Sequence, residues 1–248
     1  MRVLVLGHNG MLGREVHRHF NAFVIGERFG DPLFFDRVRE EAPDVVVNCI
    51  GAIPQKSPSA QTYYALNVGL PTELRSALPA EVLLIHPSTD CVFSGRTGPY
   101  GPAEQPDPVD VYGRTKALAE RVLLGTTNTI VIRSSIIGRG GGLVHWLLSH
   151  QDGDVVSGYT NHFWNGLTAG AWALAAEQLI TKRRHLVQLG SDRTLSKADL
   201  LREVAIAARR DLTVVDVEHP WRVHRGLVSS VDLDLLSLSE QIAEMLRA

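Results

Sequence analysis

The chain of 248 residues predicts an α/β fold, a doubly wound parallel sheet with a small C-terminal lobe. Three observations carry this. Up to residue 138, strand-length apolar runs alternate with helix-length segments, the pattern of successive βα units. Runs such as Val45-Val46-Val47 are apolar at every position, as in a parallel sheet covered on both faces. A glycine-rich turn follows the first run and opens the first helical segment.

In chain order, residues 2–7 read as a short buried strand and residues 11–20 as a helix. Residues 22–26 read as a second short strand, and residues 33–41 as a helix stopped by Pro43. Residues 44–50 form a strand, 62–77 a helix, and 81–86 an apolar strand running into Pro87-Ser88-Thr89-Asp90. Residues 94–108 are dense in Gly and Pro and read as a loop. Residues 111–124 form a helix and 129–133 a strand. After Gly138 the alternation breaks into a turn at 139–142, a short helix at 143–150 and an irregular aromatic stretch at 152–166. Residues 167–181 are an Ala-rich helix and 186–189 a strand, and the segment 167–190 is expected to pack back onto the sheet. Residues 197–210 form a helix with Ser196 as its N-cap, and residues 239–247 a closing helix. One domain is therefore expected over 1–138, with 139–166 and 191–248 forming the lobe. There is no internal repeat and no disordered tail.

Composition sets bounds. The chain is 44% hydrophobic and 21% charged, enough for a sizeable core. A formal net charge of −2 gives no electrostatic case for nucleic acid or an anionic membrane. The longest apolar runs are far shorter than a membrane span. The N-terminus enters a strand at once, so no cleavable signal is expected. Cys49 and Cys91 read as free thiols in a reducing cytoplasm. The 10 histidines show no metal-ligand spacing beyond His17 and His19 on a polar helix face, so no metal is expected.

Tyr112 and Lys116 are the only tyrosine–lysine pair at a spacing of four, which puts both on one helix face. An ammonium beside a phenol stabilises the phenolate and draws its pKa from roughly 10 towards neutrality. That suits proton delivery to a carbonyl oxygen. The turn Gly7-His8-Asn9-Gly10-Met11-Leu12-Gly13 fits G-x-x-G-x-x-G in strand–turn–helix context, where the backbone can approach a pyrophosphate at a helix N-terminus. A second copy, Gly95 to Gly101, lies in the proline-broken loop and lacks that context. Ser88-Thr89-Asp90 ends a strand, where ligands bind in a parallel sheet. Thr89 is there either a turn cap or a donor to a substrate carbonyl. Asn67 faces the cofactor from its helix or only packs there. Arg133 and Ser134 end a strand and either reach nicotinamide or substrate or stay within the fold. His8 is a pyrophosphate contact or mere surface. Residues 159–166, with Asn161, Trp164 and Asn165, hold aromatics and amides of the kind that bind sugars and nucleobases, or pack on themselves. Trp146 on the preceding helix is similar.

Together these residues resemble an extended short-chain dehydrogenase/reductase, and within it the dTDP-4-dehydrorhamnose reductase-like family, which has a Rossmann-type sheet. The carrying motifs are Gly7 to Gly13, Ser88-Thr89-Asp90-Cys91-Val92-Phe93, and Tyr112-Gly113-Arg114-Thr115-Lys116 with Glu120. Val47-Asn48, Asn67 with Pro71, and Arg133 also fit. The likeness spans nearly the whole chain and is strong over 1–138. It implies NADPH or NADH reducing the 4-keto group of a nucleotide-diphospho-4-dehydro-6-deoxy sugar in a substrate-binding lobe. Tyr112 would be the acid, Lys116 would hold the nicotinamide ribose and lower the pKa of Tyr112, and Thr89 would bind the carbonyl. Cofactor contacts would come from Gly7, Asn9, Gly10, Met11, Leu12, Gly13, Arg28, Asn48, Gly51, Asn67, Tyr112 and Lys116. Substrate contacts would come from Ser88, Asp90, Val92, Arg133, Trp146, Asn161, Trp164 and Asn165. A homodimer is typical of the family.

Three departures matter. Cys91 stands where the family has Tyr. It also stands where related dehydratases have Glu, which favours simple reduction over dehydration. The stretch 26–33 is short and trims one strand, leaving Glu27, suited to a free ribose 2′-hydroxyl, beside Arg28, suited to a 2′-phosphate. Residues 159–166 differ from the rhamnose enzymes, so the sugar is open. An epimerase with bound NAD, and a non-catalytic nucleotide-binding regulatory subunit, are the alternatives on this fold.

Overall fold

A computed structural model describes residues 1–182 and 184–247. In chain order its elements are β1 (Val3–Leu6), α1 (Met11–Phe20), α2 (Phe34–Glu40), β2 (Val45–Asn48), α3 (Ala60–Tyr64), α4 (Leu70–Ala77), β3 (Leu83–Ser88), α5 (Val111–Leu123), β4 (Thr129–Arg133), β5 (Ile136–Ile137) and α6 (Gly142–Leu148). There follow β6 (Val155–Tyr159), β7 (His162–Trp164), β8 (Leu167–Thr168), α7 (Ala169–Lys182), β9 (Leu186–Gln188), β10 (Leu195–Ser196), α8 (Lys197–Ala207), β11 (Thr213–Val217), β12 (Val223–His224) and α9 (Leu238–Arg247).

The central sheet has the order β1-β2-β3-β4-β9 and is parallel throughout. Side chains alternate between its faces. Val3, Val5, Val45, Val47, Ile85 and Ile130 pack one way, against Val16 of α1 and Trp172 and Leu179 of α7. Leu4, Leu6, Val46, Leu84 and Val131 pack the other way, against Phe34 and Val38 of α2, Leu70 and Leu74 of α4 and Leu123 of α5. With both faces covered, no strand position can be polar without a partner. This is why the strands read as unbroken apolar runs, and why the fold is the doubly wound α/β class.

The segment 22–26 is not a strand. Phe23 makes a single bridge to Leu4, through Val5 N–H to Phe23 O at 2.9 Å and Phe23 N–H to Val3 O at 2.8 Å. Phe23 and Val24 are exposed, and Arg2 lies over the Phe23 ring at 4.3 Å. With nothing outside it to pair with, the edge frays after one rung. The chain nonetheless passes to that side of β1 and returns through α2 to β2 on the other. The sheet therefore reverses direction at β1, where ligands of doubly wound sheets bind.

The helix expected over 62–77 begins at Ala60 and carries a π-turn, Ala65–Gly69, between α3 and α4. The β2–β3 ladder stops early. Leu83 N–H donates to Asp44 O at 3.0 Å, and every second residue of β3 faces β2 in this way. Pro87 is next but one after Ile85 and has no N–H to donate, so the ladder ends there and its carbonyl is taken by Lys116.

α7 packs on α1, and β9 pairs with β4. The stretch 152–166, read as irregular, contains two strands, a correction. β6 pairs in parallel with β11, and β7 sits between β10 and β12. Val144, Leu147, Leu200, Val204, Trp164 and Ile242 form a separate core there. No described helix is long and apolar enough to cross a membrane.

Candidate functional site

The glycine turn is built for close approach. Gly7 has φ +81°, a left-handed conformation that other residues adopt at a cost. A β-carbon on Gly13 would lie 2.1 Å from Gly7 O, so α1 can begin against the turn only without one. No side chain caps α1, and Asn9 and Gly10 are exposed, so the first-turn N–H groups are open to a ligand. Met11 and Leu12 are half-buried, and Leu12 packs into the core. The second glycine copy is packing. β-carbons at Gly95 and Gly98 would strike Val223 and His224 at 2.6 and 2.0 Å, and Tyr100 stacks on Phe93 at 4.1 Å.

α5 starts at the Asp110 cap, whose Oδ1 accepts the Gly113 N–H at 2.7 Å. A β-carbon at 113 would lie 2.2 Å from Cys91 O, so this glycine lets α5 lean on the turn after β3. Thr89 caps that turn, accepting the Cys91 N–H at 3.1 Å and donating to Asp90 Oδ1 at 3.1 Å. It also contacts the Tyr112 phenol. Thr89 is thus both a cap and a neighbour of the candidate acid. Asp90 is buried beside them.

Tyr112 and Lys116 share a helix face, but the expected electrostatics are corrected. Burial raises the phenol's pKa above its ordinary value, Cys91 and Asp90 add to the rise, and only the Thr89 contact pulls it down. Lys116 Nζ is turned instead to β3, 2.5 Å from Pro87 O and 3.1 Å from His86 Nε2. Burial lowers its pKa to about 8, against the opposing pull of Glu120 and Cys49.

Several expected contacts are committed within the fold. Asn48 is fully buried between Ile50 N and His86 Nδ1. Asn67 bonds Ala52 N at 2.8 Å, Ala52 O at 3.1 Å and Thr115 Oγ1 at 3.1 Å, tying the chain after β2 to α5. Ser88 Oγ donates to Glu120 Oε1 at 2.5 Å, and Arg133 is held by the same carboxylate at 2.7–3.0 Å. Val92 is core, packed with Phe93, Tyr100 and Leu227. Trp164 is 1% exposed in the lobe core, and Asn165 bonds both Leu227 N and Leu227 O. Asn161 bonds the backbone of His219. A packed interior needs its polar groups paired, so a buried amide or guanidinium goes to its nearest backbone or carboxylate. Trp146 is 42% exposed and meets His150 edge-on. Gly51 is exposed, as is Arg28, which has no side-chain bond among the described residues. Glu27 is held by Arg37 at 3.1 Å.

The lobe contributes residues that the sequence reading missed. Arg225 donates from Nε to Phe93 O at 3.0 Å and from Nη1 towards Cys91 Sγ at 3.6 Å. Lys197 Nζ sits 5.3 Å over the Trp164 ring, and burial lowers its pKa while Asp90 opposes. Burial pushes the Cys91 thiol up to about 12, with Asp90 adding and Arg225 opposing. Nothing local in the sequence marks Arg225 and Lys197, because they arrive from more than 100 residues downstream. His86 was also missed, although a histidine inside an apolar strand was visible. Among the described residues no group of three or more His, Cys, Asp or Glu is placed to hold a metal ion.

Set beside known proteins, residues 1–152 match the RmlD substrate binding domain family. Methionine adenosyltransferase 2 subunit beta of Danio rerio is 34% identical over 140 residues, 50% of this chain and 43% of that protein. The dTDP-4-dehydrorhamnose reductase of Mycolicibacterium smegmatis is 31% identical over 153 residues, 56% of this chain and 47% of that one. The chain spans about half the length of these relatives. The structure of a dTDP-4-dehydrorhamnose reductase from Clostridium acetobutylicum superposes with a TM-score of 0.84 at 18% identity, covering 100% of this chain and 99% of that one. At that identity the likeness concerns the fold alone. The family match takes in the glycine turn, the β3 end and α5, all in the first 152 residues, and the chain belongs to the RmlD substrate binding domain family.

Proposed function

We propose that this chain is an NAD(P)H-dependent oxidoreductase that reduces the 4-keto group of a nucleotide-diphospho-4-dehydro-6-deoxy sugar. The observation that carries it is the contact of Tyr112 with Thr89 at the carboxyl end of β3, beside Lys116. The glycine turn fits a dinucleotide. The close approach of α1 to the turn that Gly13 allows and the uncapped first turn of α1 make a cradle for a pyrophosphate. Residues 9–13 would hold it, Lys116 and Tyr112 the ribose, and Arg28 a 2′-phosphate. When bound, NAD(P)H supplies a hydride.

Tyr112 holds the proton that the ketone oxygen needs. Its raised pKa keeps it in the acid form throughout the neutral range. Thr89, fixed by its cap bonds, orients the carbonyl. Lys197 and Arg225 bring positive charge to the lobe side of Asp90, where a diphosphate would be stabilised. Trp146 remains available to a base or sugar ring, and a homodimer is part of the proposal.

The relatives named as methionine adenosyltransferase subunits favour a second reading, a nucleotide-binding subunit without turnover. An epimerase would consume no cofactor. Oxidation of NADPH and NADH, followed by absorbance with dTDP-4-dehydro-6-deoxy sugars, separates them. Turnover that is lost in Tyr112→Phe supports the reductase. Cofactor binding with no turnover on any keto-sugar refutes it.

A further inference from the structure

His86 is fully buried on β3 between Asn48 of β2 and Lys116 of α5. Asn48 Nδ2 lies 3.3 Å from His86 Nδ1, and Lys116 Nζ lies 3.1 Å from His86 Nε2. The Asn48 amide has one workable orientation. Its Oδ1 accepts the Ile50 N–H at 3.1 Å, and a flipped amide would set donor against donor. Nδ2 therefore donates to His86 Nδ1, which must be bare. A neutral imidazole then carries its proton on Nε2. Burial, the larger cause, holds His86 well below its ordinary pKa, so the neutral ring is the relevant one. The Nε2–H points at Lys116 Nζ, which itself donates to Pro87 O at 2.5 Å. A nitrogen can take both roles only with a lone pair, as an amine. An ammonium has none.

We propose that His86 is a positioning residue for Lys116: with its proton fixed on Nε2 by Asn48, it opposes charging of the amine seated on Pro87 O, so that nicotinamide cofactor binding draws one proton from solvent onto Nζ. The inference rests on the dinucleotide reading of the site. Ribose hydroxyls are held by an ammonium that has left its seat on β3.

The surroundings agree. The groups facing Lys116 are His86 from β3, Cys49 after β2 and Glu120 from α5. Glu120 is already matched by Arg133, and burial keeps the Cys49 thiol protonated. Among the described residues facing Lys116, the one carboxylate, Glu120, is shared with Arg133. Burial outweighs the pull of Glu120 and Cys49 and leaves Lys116 at about 8. If cofactor raises that value, affinity is fully present below about pH 8 and falls as pH rises through it, approaching tenfold per pH unit.

The test joins two readouts. Imidazole nitrogen NMR of the protein without ligand reads the His86 tautomer. Calorimetry with NADPH at about pH 9, in buffers of different ionisation enthalpy, reads proton uptake, expected near one in the wild type. In Asn48→Asp one carboxylate oxygen accepts the Ile50 N–H and the other accepts Nδ1–H. The tautomer reverses, Nε2 becomes an acceptor, Lys116 keeps its charge and uptake falls towards zero. His86→Gln, whose amide can turn its oxygen to the ammonium, should lose uptake as well and serves if the buried carboxylate prevents folding. A wild-type His86 protonated on Nδ1, or equal uptake in wild type and variant, overturns the proposal. Absence of NADPH binding would sink the dinucleotide reading instead, while the NMR result still judges the tautomer.

Discussion

Replacing Gly113 by alanine should unseat the candidate acid without touching it. The added β-carbon would stand 2.2 Å from Cys91 O and 2.9 Å from Pro108 Cβ. Real β-carbons essentially never come within 3.0 Å of another atom, so α5 and the turn after β3 must part by about 0.8 Å. Both obstacles are stiff, one a main-chain carbonyl and the other a proline ring. Overpacking of this kind costs about 1–3 kcal/mol. In a chain of this size each kcal/mol lowers Tm by roughly 2–4 °C. The functional loss should be larger, because misplacing a reacting group by about 1 Å costs on the order of a hundredfold in rate. The assay is kcat for ketone-dependent NAD(P)H oxidation, read beside a thermal melt and NADPH affinity. The expected pattern is a large fall in kcat, a modest fall in Tm and little change in affinity. A variant with wild-type kcat would show that the contact between α5 and the Thr89 turn does not position Tyr112.

Two further outcomes are expected. Glu120→Ala leaves Arg133 charged in a site where both side chains are under 5% exposed, and should cost about 3–5 kcal/mol in urea unfolding. Glu120→Leu combined with Arg133→Leu should recover most of that, and a double variant as unstable as the single would contradict the ion-pair account. Arg28→Ala should lower kcat/KM for NADPH by roughly tenfold or more and leave NADH nearly unchanged, because Glu27 is held by Arg37 and Arg28 is exposed. An equal loss with both cofactors would remove Arg28 from 2′-phosphate recognition.

The sheet was legible because its physics is local. Val45 to Val47 and Leu83 to Ile85 are apolar at every position since helices cover both faces. The glycine turn and the tyrosine–lysine spacing were legible for the same reason, each being set within one turn of chain. The lobe strands were not. β6 reads Val-Val-Ser-Gly-Tyr, and its partner β11 lies about 58 residues later. Gly158 occupies an inward position because a β-carbon there would meet Ala198 Cα at 2.6 Å. That demand comes from α8 and leaves no periodic trace. The bonds that Asn48, Asn67, Ser88 and Arg133 make within the fold were not legible for a related reason. Sequence places them correctly at strand ends or helix faces near the crevice, but only the packed structure tells which way a side chain spends its hydrogen bonds. The direction of the Tyr112 shift was missed because spacing on a helix constrains Cα positions, and Lys116 has four methylenes with which to reach elsewhere.

Pro87 has a consequence for how the site can change. The acceptor that seats Lys116 is a main-chain oxygen, so no replacement at 87 deletes it. Any replacement instead restores an N–H on the side facing β2, where Asn48 O is the next rung of the ladder. A new rung would zip β2 and β3 together one step further and reorient the carbonyl that Lys116 uses. The vulnerability of this seat therefore lies in gaining a hydrogen bond rather than in losing one.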